Sequence, residues 1–568
     1  MSIHSSHIFL FPFSFIDSFD KVVEKIEYQK NWLPESFEIN NADRFNQHVY
    51  FHDYAEAIFF SQSGPSRCYR STLTGDGGFY YILCNDNGKK KLYELRLTKI
   101  TLYIFNTHIG VLSFFAENNL SQDKEDILKI NEYGRRLFPQ FLTDDENKIS
   151  ACQGAFLPLS MTISSTPINP ETLLSPDPEP ILAGLSEVIS FDDFRYFKTF
   201  NKNDNGEYES KYIKLPGHIM NVLGESIFTD KGSPDQDRLP IKPVIDDRMF
   251  VMCCMHNEIA NRLKICKNGD YQYLLDKNTE WTQLSQKQCE LWSKNSDLTV
   301  EEQNVRKNLD FWYRFIFVDK NESTCQSVNS IADLLKKHSY DRWINWGTLY
   351  GVSRYSFMIL TASEFEFNSK LKKHFANLYY YLALLSIVER ASVLQFSQRV
   401  TDASKLEDAQ NIAKKEIEQI STLYYDYINF INRIYLREVT AQEQGIELYN
   451  LLMDRMNIKE EIDNLDEEIS ELHTYVSLVE DSRRNRKMAV LNNLAVFFLP
   501  ASLIAAIMGI GFIDSELSIN WYSSINPTVY RAILLIASMG GISSILIFIT
   551  IYWRSFNRIL NQINKLRK

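Results

Sequence analysis

The stretch AAIMGIGFID, residues Ala505 to Asp514, decides how the C-terminal part of this chain is interpreted. It closes a long apolar run with two glycines, one aromatic residue and an acidic residue. Glycine is common where a helix ends, and acidic side chains are rarely buried without a partner. The stretch therefore predicts an apolar helix that ends at a polar surface.

Two apolar runs near the C-terminus are long enough to span a bilayer, which takes about 20 residues of helix. They are Met488–Phe512 and Ala532–Trp553, and neither contains a charged residue. A pair of buried core helices is the alternative interpretation of the same pattern. The charges beside the two runs favour the membrane interpretation.

Those flanking charges also predict an orientation. The connecting sequence IDSELSINWYSSINPTVY contains Asp514 and Glu516 and no Lys or Arg. Because basic segments stay on the cytoplasmic side, we expect a multi-pass protein of the inner (cytoplasmic) membrane with both termini in the cytoplasm. The basic flanks comprise Arg483, Arg484, Arg486 and Lys487 before the first run, and Arg554, Arg558, Lys565, Arg567 and Lys568 after the second.

The segment before the first run is predicted to be a long stalk helix. Between Ile446 and Met508 there is no glycine and a single proline, Pro500. At 1.5 Å per residue an unbroken helix of this length would measure roughly 95 Å. Apolar residues recur within it at steps of four and three, which is typical of a helix that packs along partner helices; they are Ile458, Ile462, Leu465, Ile469, Leu472, Val476 and Val479.

Composition limits the functions of the remainder. The 568 residues carry a net charge of -11, and no Lys/Arg-rich face is visible, which argues against direct nucleic-acid binding. No P-loop, GxSxG or HExxH motif occurs, so we do not expect an enzyme. An acidic face of the stalk, Glu460 to Glu471, is typical of a solvated helix and is also suited to a divalent cation.

The predicted fold class is an α+β/α membrane protein. Residues 1–330 are expected to form a cytosolic mixed α/β sensor domain, because segments such as FYYILC and HIGVLSFFAE are typical of strands. Residues 331–445 form a helical region that joins head and stalk, and 446–487 form the stalk helix. The order is completed by the first span (488–512), an outer loop (513–531), the second span (532–553) and a basic cytoplasmic tail (554–568).

One cytosolic segment, DRWINWGTLYGVSRYSFMILT, is rich in aromatic residues and contains an arginine that suits a phosphate. Aromatic rings stack on bases and guanidinium groups pair with phosphate oxygens. The candidate ligand-binding residues are Trp343, Trp346, Arg354 and Tyr355. An aromatic packing junction between the α/β head and the helical stalk is the alternative interpretation, and segments of this composition more often have that role.

The sequence FFLPASLIAAIMGIGF, with the two runs and the long stalk, resembles the CorA superfamily of magnesium channels. In that family the first span ends in Gly-Met-Asn followed by an aromatic residue, and the channel is a pentamer. Here Gly509, Ile510 and Gly511 lie at the three motif positions, so the asparagine that meets the hydrated ion is replaced. The resemblance implies a homo-oligomer, and the degenerate motif puts magnesium selectivity in doubt.

Helical spacing from Met488 predicts one pore-lining face in such an oligomer. Its residues are Asn485, Met488, Leu491, Ala495, Leu499, Ser502 and Ala506. Most of these side chains are apolar, which suits a pore that closes by dewetting.

The resemblance narrows to CorA-like membrane effectors that occur beside type III CRISPR systems and lack the asparagine. It implies a channel or effector of antiviral defence that permeabilises the membrane when it binds a nucleotide second messenger, a conjugate of S-adenosylmethionine with AMP. The implied partners are other copies of this chain, the lipid bilayer and that small ligand. A divalent metal-ion transporter and a membrane-anchored scaffold or enzyme remain the alternatives.

Overall fold

A computed structural model describes residues 4–35, 45, 48–75, 77–86, 88–138, 157–194, 215–224, 241–244, 247–267, 300–404 and 414–510. The chain divides into two compact units. The first comprises residues 1–406 and 414–470, and the second comprises 407–413 and 471–568. All of the strands described below belong to the first unit.

Within the described residues, thirteen strands form a single mixed sheet, and ten of them follow the order β11-β12-β13-β10-β1-β6-β5-β4-β7-β8. Of the other three, β3 pairs with β5, β2 pairs with β3, and β9 pairs with β1. The β10–β13 pair is parallel and the other pairs are antiparallel. The strands are β1 Ser5–Phe15, β2 Trp32–Pro34, β3 Ser66–Ser71, β4 Gly78–Asp86, β5 Lys89–Phe105, β6 Ile109–Asn118, β7 Ser160–Ser164, β8 Val188–Asp193, β9 Ile241–Pro243, β10 Phe250–His256, β11 Ser339–Tyr340, β12 Thr348–Ser353 and β13 Ser356–Thr361.

The N-terminal strand β1 lies in the middle of this sheet, between β10 and β6. Its side chains are almost all buried, as expected for a strand covered on both faces. Proline has no N–H to donate to a neighbouring strand. Pro12 occupies the point where the pairing of β1 changes from β10 to β9, so the missing donor falls at a break in the ladder.

The helices are α1 Phe19–Glu27, α2 Asp53–Phe59, α3 Lys124–Gly134, α4 Pro170–Leu174, α5 Glu179–Leu182, α6 Gly217–Leu223, α7 Ile259–Lys267, α8 Val300–Phe317, α9 Val328–His338, α10 Glu364–Glu366, α11 Lys372–His374, α12 Tyr380–Ala403, α13 Lys414–Arg433, α14 Glu443–Arg455 and α15 Ile458–Ile510. Two π-helical turns, Phe367–Leu371 and Phe375–Tyr379, connect α10 to α12. A 3-10 turn, Ile344–Trp346, precedes β12.

Helix α12 covers the central strands and contacts β1 and β6. It is apolar on nearly all sides, which is typical of a helix buried in a core. At its start the Tyr380 hydroxyl lies 3.1 Å from Thr101 Oγ1 of β5 and 3.1 Å from Ser113 Oγ of β6. The two charged residues in the middle of α12, Glu389 and Arg390, have separate environments that are described below.

The predicted unbroken stalk from residue 446 onward is wrong, because the chain ends one helix at Arg455 and starts the next at Ile458. Asn457 adopts a left-handed conformation with φ +58°. Asparagine tolerates this region better than most residues because its short side chain bonds locally. The beginning of α15 follows the predicted apolar seam, since Ile458, Ile462, Leu465 and Ile469 are all buried.

Among the residues that the structure describes, no helix has both the length and the apolar character needed to cross a bilayer. The predicted fold class, a membrane protein with two C-terminal spans, is therefore wrong, and the predicted multi-pass location in the inner membrane is wrong with it. The observed fold is a large mixed sheet packed with helices. Helix α15 carries charged residues as far as Lys487, and side chains of the predicted first span are described only as far as Leu499. The second predicted span, 532–553, and the segments 513–531 and 554–568 lie outside the described residues.

Candidate functional site

Arg354 and Tyr355 form the turn between β12 and β13, in the middle of the sequence SRYS. The turn is closed by a 2.6 Å hydrogen bond between the hydroxyls of Ser353 and Ser356. It is attached to the start of β10 because the amide of Val251 donates to the Tyr355 carbonyl at 3.0 Å. The parallel pairing of β10 with β13 thus places residues that precede β10 beside this turn.

Two guanidinium groups lie within cation–π distance of the Tyr355 ring. The Arg248 group, just before β10, is 5.1 Å from the ring centroid, and the Arg390 group of α12 is 5.0 Å from it. Arg390 Nη1 also donates to the Arg354 carbonyl at 2.8 Å. Three elements distant in sequence therefore bring Arg248, Arg354, Tyr355 and Arg390 together; we call these four residues the Tyr355 cluster.

Arg390 has an unusual electrostatic environment. Its burial, together with the nearby Arg354 charge, lowers the pKa of the Arg390 guanidinium even though Tyr355 raises it. Within the described part of the chain, neither Arg354 nor Arg390 has a carboxylate at ion-pair distance. Burial of a cation without a counter-ion is unfavourable. An anion placed between the two side chains would relieve this cost.

A buried ion cluster lies next to the Tyr355 cluster. Glu132 of α3 pairs with both Arg135 and Arg136, and Arg136 also pairs with Asp247. Burial alone would raise the pKa of the Glu132 carboxyl, but the two arginines outweigh it and lower that pKa. Arg248 Nε lies 3.1 Å from Asp247 Oδ1 and so connects this cluster to Tyr355.

The buried ion cluster contains two features that are often found near functional sites. Arg135 Nη1 is buried and has no hydrogen-bond partner among the described residues. Arg135 Nη2 donates at 3.2 Å to the carbonyl of Val318, whose φ of +61° is rare for a β-branched residue. Backbone strain of this kind persists only where the surroundings impose it. Here the backbone of Val318 is strained, and its carbonyl helps to hold the Arg135 side chain in place.

The structure separates the four predicted ligand residues into two pairs. Arg354 and Tyr355 lie at one end of the β12–β13 hairpin, whereas Trp343 and Trp346 lie before the first residue of β12, at the opposite end. Six strand residues at about 3.3 Å each separate the pairs by about 20 Å. The indole rings of Trp343 and Trp346 are 37% and 71% exposed and make no part of the Tyr355 cluster.

Sequence reasoning missed Arg248 and Arg390 as site residues. The sequence did contain a signal for Arg390. It lies in the apolar sequence LYYYLALLSIVERASVL, and charged residues are rarely buried unless they have a partner. For Arg248 the signal was the charged start, DDR, of the strand MFVMCCMH. No local pattern shows that these two residues meet at the turn after β12, because their meeting depends on pairing between distant strands.

A second polar chain, Ser5–His7–Asn131, has the atom order of a hydrolase triad. Ser5 Oγ lies 2.9 Å from His7 Nε2, and His7 Nδ1 lies 2.7 Å from Asn131 Oδ1. All three side chains are fully buried under α3, and burial lowers the pKa of His7 to about 4. A substrate has no access to these atoms, so we interpret the chain as a neutral polar link between β1 and α3.

The predicted pore-lining face remains a prediction. On α15 the side chains of Asn485, Met488, Leu491, Ala495 and Leu499 are exposed. Ser502, Ala506, Gly509 and Ile510 belong to the same helix, but their side chains lie outside the described part, and Gly511 lies outside it altogether. In the described residues, no group of three or more His, Cys, Asp or Glu side chains is arranged to hold a metal ion.

No family model, no curated protein and no solved structure matches this chain.

Proposed function

We propose that this protein is a sensor that binds an adenine nucleotide with a phosphate group, and that the Tyr355 cluster is the binding site. The observation that carries the proposal is Arg390, which is partly buried beside Arg354 without a carboxylate partner in the described residues. A guanidinium group forms strong, directional hydrogen bonds with phosphate oxygens. A base can stack on the Tyr355 ring if it takes the place of one of the two guanidinium groups that lie over the ring.

The class of ligand is suggested by the sequence resemblance to CorA-like effectors of type III CRISPR systems. That resemblance points to the conjugate of S-adenosylmethionine with AMP, which has an adenine base and a phosphate. The function proposed here is the binding of this ligand by the sheet-containing unit. The resemblance also implied ion conduction and membrane permeabilisation; both require spanning helices and are not part of this proposal.

Calorimetry on the full chain tests the proposal. The titrants are the S-adenosylmethionine–AMP conjugate, AMP, ATP, S-adenosylmethionine and inorganic phosphate, each at low and at high salt. Loss of a hydrogen bond to a charged group costs about 1.5–3 kcal/mol, so Arg390→Gln and Arg354→Gln should each weaken binding roughly ten- to a hundredfold. Higher salt should also weaken binding, because salt screens the attraction between the two guanidinium charges and the anion.

Arg399→Gln is the matched control. Arg399 lies on the same helix as Arg390, but its guanidinium already pairs with Asp426 at 2.7 Å. Its replacement should leave the affinity unchanged. The proposal would be refuted if none of the titrants bound, or if Arg390→Gln bound as tightly as Arg399→Gln. In that case the Tyr355 cluster is a packing contact between the hairpin and α12.

A further inference from the structure

Helix α14 is attached to both elements that carry the Tyr355 cluster. From α14, Gln444 Nε2 donates to the Tyr350 hydroxyl of β12 at 3.0 Å and to the Tyr379 hydroxyl at 2.7 Å. Tyr350 belongs to the same strand that leads into the turn of Arg354 and Tyr355. The first attachment therefore connects α14 to the hairpin.

The second attachment connects α14 to α12. The Tyr449 hydroxyl of α14 donates to Glu389 Oε1 at 2.8 Å, and the amide of Leu436 donates to the same oxygen at 3.1 Å. Glu389 is the residue directly before Arg390. Successive side chains on a helix point about 100° apart. One turn of α12 therefore presents Glu389 to α14 and Arg390 to the Tyr355 cluster.

The contact between α12 and α14 is incomplete. Glu389 Oε2 is buried, and the described residues offer it no hydrogen-bond partner. A partly satisfied buried contact is less stable than a complete one. A small displacement of α12 would thus change the free energy of this contact, whereas a fully bonded contact would resist displacement.

Helix α14 leads directly into the part of α15 that belongs to the same compact unit, up to Ser470. The connection is the turn at Met456 and Asn457, and Met456, Ile458 and Ile462 are buried. A change in the stability of α14 is therefore passed to the first turns of α15. These turns form the start of the longest helix among the described residues.

We propose that α14 is the element that reports ligand occupancy, through Glu389–Tyr449 on one side and Gln444–Tyr350 on the other. This inference rests on the proposed function, because the ligand acts through Arg390 and Arg354. A ligand shifts a conformational equilibrium only if it binds one state more tightly than the other. When the ligand holds α12 and the hairpin against each other, both attachments to α14 are formed.

Hydrogen–deuterium exchange on the full chain tests this inference, with and without whichever titrant binds in calorimetry. Ligand should slow exchange in peptides covering 443–455 by about fivefold or more, the lower end of typical coupling between sites. Tyr449→Phe should reduce this protection, because it removes the hydroxyl that bonds to Glu389, and coupling is reciprocal, so it should weaken ligand binding by no more than the same fivefold factor. Gln444→Ala should act in the same direction.

Tyr427→Phe is the control for the loss of a buried phenol. The Tyr427 hydroxyl bonds weakly to the Ile462 carbonyl, at 3.5 Å, and has no bond to Glu389. This variant should keep both the affinity and the protection of 443–455. Two results would overturn the role of α14 and leave the proposed function unaffected. One is ligand binding to the unmodified chain with no change of exchange in 443–455, and the other is full protection of these peptides in Tyr449→Phe. Absence of binding in calorimetry would overturn both.

Discussion

Glu389 and Arg390 are consecutive residues on a buried helix, and their environments are opposite. Arg390 reaches the hairpin turn and an aromatic ring, whereas Glu389 is fully buried against Tyr449 and the Leu436 amide. Burial raises the pKa of the Glu389 carboxyl to about 8, although both hydrogen bonds lower it. At neutral pH most Glu389 side chains in the folded protein are therefore protonated.

This shift makes the free energy of unfolding depend on pH. The carboxyl loses its proton near its ordinary pKa of 4.5 in the unfolded chain and near 8 in the folded chain. The stabilisation that protonated Glu389 adds to the folded state is therefore fully present below pH 4.5 and is lost as the pH rises to 8. Over this range the free energy of unfolding falls by at most about 1.4 kcal/mol per pH unit. Above pH 8 both states are ionised and this dependence ends.

Glu389→Gln should remove that dependence, since glutamine keeps the acceptor oxygen and does not ionise. Urea unfolding of the variant and the parent at pH 6, 7 and 8 measures the effect. The variant should gain stability relative to the parent as the pH rises across this range. Parallel curves for the two proteins would show that Glu389 is not the titrating group.

At the scale of elements, the strands were easier to predict than their pairing. The two segments predicted to be strands, FYYILC and HIGVLSFFAE, occur as β4 and β6. Helix α3 is capped by Asp123, whose carboxylate accepts from the Glu125 amide at 3.0 Å. Ser121 instead donates to Asp126 at 2.6 Å, so two potential caps lie side by side and sequence alone does not rank them.

The break between α14 and α15 was not predicted because neither glycine nor proline marks it. Asn457 supplies the left-handed residue, and the flanking pattern reads as continuous helix. This conformation costs most L-residues about 1–2 kcal/mol. The break places α14 against Tyr350 and Glu389 instead of in line with α15.

Replacement of Asn457 tests the role of that turn. Asn457→Val should destabilise the protein by about 1–2 kcal/mol, because a β-branched side chain opposes the positive φ. Asn457→Gly should stay close to the parent, since glycine adopts this conformation freely. Chemical denaturation measures both. Equal stability of the two variants would mean that the turn is not held in the left-handed region in solution.

For the whole molecule, the compact unit of residues 1–406 and 414–470 contains the sheet, the Tyr355 cluster and α14. A chain that ends at Ser470 keeps the buried seam residues Ile458, Ile462, Leu465 and Ile469. It should therefore fold cooperatively, with a melting temperature within about 5 °C of the full chain, a shift that corresponds to about 5 kcal/mol for a chain of about 470 residues. Circular dichroism melts of both chains provide the comparison. An unfolded truncated chain would show that the sheet-containing unit depends on later residues.

At the same scale, the sequence predicted the mixed α/β character of the head, and two of its four candidate ligand residues, Arg354 and Tyr355, belong to the site proposed here. It failed where the outcome depends on contacts between distant segments. Trp343 and Arg354 are close in sequence, yet an extended strand separates them, whereas Arg248 and Arg390 are distant in sequence and meet at Tyr355. The membrane prediction, made from apolar length and flanking charges, is wrong because no helix among the described residues has both the length and the apolar character to cross a bilayer.

The central claim is that a phosphate binds at Arg354 and Arg390 with a base beside Tyr355. An experimental structure of the full chain with the S-adenosylmethionine–AMP conjugate tests it most directly. We predict density for the phosphate within hydrogen-bond distance of both guanidinium groups, and an adenine ring against Tyr355. A ligand bound at Trp343 and Trp346 instead, about 20 Å away along β12, or a Tyr355 cluster left empty at saturating ligand, would contradict the account.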